Sequence, residues 1–194
     1  MMKLIDISRR VQEAPVYPGM SPVQIETLAH VSKGDPYSIS MITSGSHNGS
    51  HADAHTHFLN NAKSIDQMDL SLYYGPCRVL TVPADAMISR KTLEGKIDNC
   101  KRLVIHGGGN SYFTKEATDY ILEKGVMTVV TEALSVAPPD NEIEIHVTML
   151  TAGVAVIENV TLEGVADGEY TLCAFPIKYA GLDGAPVRAV LIKD

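Results

Sequence analysis

Residues 46 to 58 read SHNGSHADAHTHF, and this stretch holds four of the seven histidines in a chain of 194 residues. His47, His51, Asp53, His55 and His57 stand at even intervals, so an extended backbone would turn them all to one side. Imidazole is the commonest metal ligand and the side chain whose ordinary pKa lies nearest neutrality. Histidines clustered with a carboxylate therefore point to a bound metal, to an acid–base pair, or to both. The same composition also suits a solvated loop that picks up metal adventitiously.

One straight strand cannot bring these residues onto one ion, because His47 and His57 would lie about 33 Å apart at roughly 3.3 Å per residue. The chain must bend, and Gly49 is the residue best able to do so. The expected arrangement is a strand that breaks at Gly49 into a tight loop, gathering His47, His51 and Asp53. Three nitrogen and oxygen ligands leave a position open for water, as catalytic sites do and structural sites do not. A ligand set without sulfur favours Zn2+ or Mn2+ over a thiolate-selected metal.

The elements that must position this run can be read from hydrophobic periodicity. Strands are expected over 4–8, 23–30 and 37–43, then over 77–82, 102–106, 126–131, 154–158, 170–175 and 187–192. Thr114 caps a helix KEATDYILEK that Gly125 stops, and Asn141 opens EIEIHVTMLTA, which Gly153 closes. On that second helix His146, Met149 and Leu150 lie on neighbouring turns, so His146 points inward with apolar residues. Strands alternating with helices after a β-rich N-terminal region predict an α/β fold with parallel elements.

Composition narrows the partners. With 45% hydrophobic and 20% charged residues and no Pro/Gly/Ser linker, residues 1–194 read as a single domain. The net charge is −7 and no basic run exceeds pairs such as Arg9-Arg10, which speaks against nucleic acid or an anionic membrane as partner. The opening MMKLIDISRRVQ lacks the pattern of an export signal, and no apolar run reaches the roughly 18 residues of a membrane span. A cytoplasmic protein acting on a small molecule is expected. Cys77, Cys100 and Cys173 are too few and too scattered for a disulfide framework, and read as buried or inert thiols. The glycines at 107–109 lack the order of a phosphate-binding loop and read as a flexible loop, with substrate entry as a second possible role.

The spacing His47-x-Gly49-Ser50-His51-x-Asp53-x-x-x-His57 resembles the HxGTHxDxPxH signature of the metal-dependent cyclase family, which includes bacterial kynurenine formamidases. The resemblance extends along the chain, with YPG at 17–19 similar to the family's W-P-G. His146 and Glu158 are similar to its downstream ligand pair, and FPIKYAGLDGAPVRAVLI at 175–192 to its C-terminal block. Isatin hydrolase is similar in the same way.

What the resemblance implies is specific. His47, His51 and Asp53 would hold one ion, Asp53 would bridge to a second, and His146 and Glu158 would complete the set. His57 would be the general acid/base, and Tyr17 would stand in the substrate wall where the family has Trp. The implied fold is a swivelling β/β/α fold with a mixed sheet, and the implied assembly a homodimer or higher oligomer. The implied reaction is hydrolysis of a formamide or cyclic amide C–N bond. Metal-assisted cyclisation or dehydration, or metal binding without turnover, are the alternatives. His55 replaces the signature's Pro and reads as an exposed turn residue, or else as an extra ligand or proton relay. His30 and His106 match nothing in the signature and read as structural or solvated.

Overall fold

The computed structural model describes residues 2–193. Along these residues run β1 (Lys3–Asp6), β2 (Gln24–Ala29), β3 (Ile39–Thr43), β4 (His51–Asp53), β5 (Tyr74–Thr81), β6 (Met87–Ile88) and α1 (Arg90–Leu93). There follow β7 (Arg102–His106), β8 (Tyr112–Phe113), α2 (Lys115–Glu123), β9 (Thr128–Thr131), α3 (Glu142–Thr151), β10 (Ala155–Glu158), β11 (Gly168–Cys173), β12 (Gly184–Pro186) and β13 (Val190–Lys193).

Nine strands make one mixed sheet in the order β1-β13-β11-β5-β7-β9-β10-β4-β12. Its centre, β5-β7-β9-β10, is parallel, and the strands outside it pair antiparallel. The architecture is the α/β mixed sheet expected from the sequence. β7, β9 and β10 are short runs rich in Val and Ile because both faces of a central parallel strand are covered. Their side chains alternate between two cores. Leu103, Ile105, Val129 and Val156 pack with α2 and α3, while Val104, Val130 and Ile157 face the opposite core with Tyr73 and Leu172.

The helices cover the first of these faces. Thr114 Oγ1 accepts from the Ala117 N–H at 3.2 Å, and Gly125 leaves α2 with a φ of +70°, so both ends of that helix form as predicted. Asn141 precedes α3 but makes no side-chain cap; Glu142 and Glu144 in the first turn instead meet the positive end of the helix.

The β-rich N-terminal region divides. β1 joins the edge of the main sheet, whereas β2 and β3 form a separate antiparallel hairpin. The apolar side chains of that hairpin, Ile25, Leu28, Ile39, Met41 and Ile42, remain exposed.

The histidine run departs from expectation in its order. The chain turns first, through 45–50 with Gly49 at φ +69°, and only then enters a strand, β4. β4 is short and polar, and is held as a strand from both sides: His51 lies opposite Glu158 of β10 and opposite Pro186 of β12. A side chain at Gly49 would also meet Val11 Cγ2 at 2.9 Å, so bend and packing both require glycine there.

Candidate metal centre

Five elements converge where β10 ends. β4 supplies His51 and Asp53, two residues apart and therefore on one face of the strand. β10 supplies Glu158, α3 supplies His146, and the turn before β4 supplies His47. The short 3-10 turn His55–His57 brings up His57. The turn carrying His47 is tied down locally. Asn48 accepts from the Gly45 N–H at 2.7 Å and donates to the Ser21 carbonyl at 3.1 Å, and Ser50 Oγ donates to the Asn159 carbonyl at 2.7 Å.

With His57 stacked on His47 beside them, the other four predicted ligands, His47, His51, His146 and Glu158, come together around the Asp53 carboxylate. Its Oδ1 lies 3.0 Å from His47 Nδ1 and 3.5 Å from His51 Nε2. Its Oδ2 lies 3.8 Å from His146 Nε2. Glu158 closes the ring, with Oε1 3.3 Å from His146 Nε2 and Oε2 3.5 Å from His51 Nε2. Two triplets, His47/His51/Asp53 and Asp53/His146/Glu158, thus each place three ligand atoms within 4.8 Å of one another, and Asp53 belongs to both.

The donor set fits divalent ions. Both Asp53 oxygens are buried and accept no well-aligned hydrogen bond, and a carboxylate in that state is costly unless a cation meets it. Ligands about 2.0–2.1 Å from a tetrahedral ion stand roughly 3.3 Å apart, close to the separations found here. The ring nitrogens facing away from the cluster are occupied as metal-binding histidines require. His51 Nδ1 donates to the Gly49 carbonyl at 2.9 Å and His146 Nδ1 to the Glu142 carbonyl at 2.8 Å, which leaves each Nε2 lone pair toward Asp53 and Glu158.

The electrostatics of the metal-free protein follow from the same contacts. Burial pulls His47 and His146 down, yet Asp53 with Asp183 raises His47 to about 9, and Glu158 with Asp53 raises His146 to about 9. Burial pushes the Asp53 and Glu158 carboxyls up, and the adjoining imidazoles more than offset it, so both stay below the ordinary carboxylate range. The two histidines bind protons more tightly folded than at their ordinary 6.5 in the unfolded chain. Their stabilising effect is full below about pH 6.5 and is lost as pH rises through about 9. Scanning calorimetry of metal-free protein is expected to show the melting temperature falling between those limits. Zn2+ must displace these protons, so titration calorimetry in buffers of different ionisation heat is expected to show proton release and tighter binding at higher pH. Binding without proton release would contradict the assignment.

A cavity of about 260 Å³ opens onto this cluster. Tyr17, Met20, Phe58 and Leu134 line its apolar side, and His47, His51, His57, His146, Glu142 and Glu158 its polar side. Tyr17, predicted as a wall residue, is there, its hydroxyl donating to Glu142 Oε2 at 2.7 Å; that bond pushes the Tyr17 pKa up to about 12. His57 lines the cavity with its ring stacked 4.0 Å from that of His47, and burial pulls its pKa below the ordinary value.

Three residues of this site escape a reading of the sequence. Phe58 stacks on His146 with centroids 4.5 Å apart, although its place directly after His57 could have suggested it. Glu142 had no signal beyond its position at the start of a helix. Asp183 lies 3.0 Å from His47 Nε2 and 3.5 Å from His57 Nδ1, inside the C-terminal block at 175–192, whose resemblance to the family singles out no one residue.

Other expectations change. His55 is half-buried rather than exposed, with a buried Nε2 that has no hydrogen-bond partner, in a 3-10 turn whose Thr56 N–H donates to the Lys63 carbonyl at 3.1 Å. The glycines at 107–109 do not line the cavity; a side chain at Gly107 would overlap Val82 and Ser111, which makes that residue part of a packed turn. His30 caps the short 3-10 turn Val31–Lys33 in solvent, and His106 lies 3.9 Å from Glu132, away from the cluster. Cys77 and Cys100 are buried free thiols and Cys173 is partly buried, and no helix among the described residues is long and apolar enough to cross a membrane.

Comparison with known proteins places the chain in a family. The family model described as "Putative cyclase" matches residues 5–138. The chain is 32% identical over 200 residues to a kynurenine formamidase of Bacillus thuringiensis subsp. konkukian, the match covering 96% of each chain. A solved structure of a potential metal-dependent hydrolase with cyclase activity superposes with a TM-score of 0.85 at 23% identity, covering 100% of this chain and 99% of the other. Isatin hydrolase A from Ralstonia solanacearum superposes with a TM-score of 0.86 at 16% identity, covering 100% and 92%. With a family model spanning well over half its length and relatives of this identity along nearly all of it, the chain belongs to the cyclase family.

Proposed function

We propose that this protein is a divalent-metal-dependent hydrolase that cleaves the C–N bond of a formamide or cyclic amide. The observation that carries the reading is the buried Asp53 carboxylate, shared by two ligand triplets whose His47, His51, His146 and Glu158 line a cavity that Tyr17 and Phe58 also line. The similarity to a kynurenine formamidase supports the bond class. In this reading His47, His51 and Asp53 hold one ion, and Asp53, His146 and Glu158 a second. The nitrogen and oxygen donors favour Zn2+ or Mn2+. Such ions, when bound, polarise a carbonyl and make water acidic enough to supply hydroxide near neutral pH.

The chain's own residues do the rest. Tyr17 and Phe58 provide flat surfaces for an aromatic ring, and a cavity of about 260 Å³ suits a compact substrate. His57, kept largely neutral at pH 7 by burial, accepts the proton of the attacking water and returns it to the departing nitrogen. The products are a carboxylic acid and an amine, or one ring-opened molecule carrying both.

The test is a panel of N-formyl arylamines and cyclic amides assayed with Zn2+ or Mn2+. Formate or ring-opened acid is expected from at least one class. Ring closure or water loss without hydrolysis would assign the cyclisation chemistry instead, and ions bound without turnover on any member would assign a binding role.

We further propose that the whole chain works as one catalytic unit in a homodimer whose contact is the β2–β3 hairpin. That arm exposes five large apolar side chains and stands apart from the main sheet, a surface of the kind that marks a protein contact. Ile42→Glu together with Ile25→Glu is expected to yield a monomer by sedimentation, and an unchanged dimer would place the contact elsewhere. Three unpaired thiols suit a reducing compartment such as the cytoplasm.

A further inference from the structure

Asp183 precedes β12 at the rim of the cluster, and its main chain is fixed there because its carbonyl accepts from the Ala54 N–H at 2.8 Å. The side chain is 43% exposed, and its polar contacts all point inward. Oδ1 accepts from Ser46 Oγ at 2.9 Å, while Oδ2 lies 3.0 Å from His47 Nε2 and 3.5 Å from His57 Nδ1. Among the described residues no lysine or arginine is within ion-pair distance of it.

His47 differs from the other two imidazoles of the cluster. His51 and His146 present Nε2 inward and give Nδ1 to main-chain carbonyls, whereas His47 presents Nδ1 to Asp53 at 3.0 Å and gives Nε2 to a carboxylate. A carboxylate behind a ligating histidine fixes its tautomer and raises its basicity more than a neutral carbonyl does. The ring is held on its other sides too. Its plane stacks on His57 at 30°, and a side chain at Gly184 would come within 2.8 Å of His47 Cε1.

We infer that Asp183 is a positioning residue serving two imidazoles at once: it holds the proton on His47 Nε2, so that Nδ1 offers its lone pair to an ion, and it orients His57. Asp183 touches neither ion nor substrate in this arrangement, and its effect passes through the two rings. The inference rests on the metal-dependent reading above.

The test uses the full chain stripped with chelator, Zn2+ affinity measured by competition with a chromogenic chelator, and turnover of an N-formyl arylamine. Asp183→Ala is expected to lower Zn2+ affinity about 10- to 100-fold, the usual effect of losing such a partner. It is also expected to lower kcat with little change in KM, while circular dichroism shows an unchanged fold. Asp183→Asn, of the same size, is expected to fall between. The double variant His47→Ala/Asp183→Ala is expected to bind Zn2+ no more weakly than His47→Ala alone, because the carboxylate acts through that ring. Parent-like affinity and kcat in Asp183→Ala overturn the inference and leave the hydrolase reading standing, as do additive losses in the double variant. An additional ion held by His47, His57 and Asp183 overturns it too, since Nε2 would then be a ligand and not a donor. A parent protein that binds neither Zn2+ nor Mn2+ removes both the inference and the reading it rests on.

Discussion

Replacing Asp53 with alanine is expected to strip both ions from the protein and lower turnover about a thousandfold or more. Asp53 is the one residue common to both ligand triplets, and both its oxygens face them without another partner. Loss of His51 or Glu158 would leave one triplet intact on paper; loss of Asp53 leaves neither. Ions in such sites supply several kcal/mol of charge stabilisation in the transition state, and each 1.36 kcal/mol is tenfold in rate. Elemental analysis after dialysis, beside initial rates, checks both halves. A variant that keeps its metal would show that the buried carboxylate is not the bridge. The substitution also removes the negative charge beside His47 and His146, so both imidazoles are expected to titrate nearer 6.5 in that variant, readable by NMR.

The second large effect separates proton transfer from metal binding. His57→Ala is expected to lower kcat about 10²- to 10⁴-fold, the usual worth of a positioned acid–base group, with metal content unchanged. His57 lies outside both triplets that contain Asp53, yet it lines the cavity and stacks on a ligand ring. Retention of metal is therefore as much part of the prediction as loss of rate. Partial recovery with added imidazole would support a proton-carrying role, and a His57→Ala protein that turns over normally would move that role to another group.

How far the sequence reached depends on the kind of signal each element carries. β7 is predicted and observed over the same residues, 102–106, because a strand buried on both faces carries an unbroken apolar centre, here Leu103, Val104 and Ile105. α2 is bounded by Thr114 and Gly125, each with a local physical reason to be there. β4 has no such signature. His-Ala-Asp is a strand only because β10 and β12 hold it from either side, and those partners lie more than a hundred residues away in sequence. The ligands were legible through residue type, even spacing and family resemblance, while the order of turn and strand that assembles them was not. Asp183 marks the limit: it meets His47 across 136 residues, and nothing local distinguishes it from any other aspartate before a glycine. The half-buried state of His55 is likewise a product of tertiary packing, since its neighbours His51, Asp53 and His57 all read as polar.

The most direct measurement is anomalous diffraction from crystals of the protein grown with Zn2+ or Mn2+, supported by elemental analysis of the same preparation. The account predicts two peaks flanking the Asp53 carboxylate, one beside His47 Nδ1 and His51 Nε2 and the other beside His146 Nε2 and Glu158. Absence of any ion at Asp53 under saturating metal would contradict it.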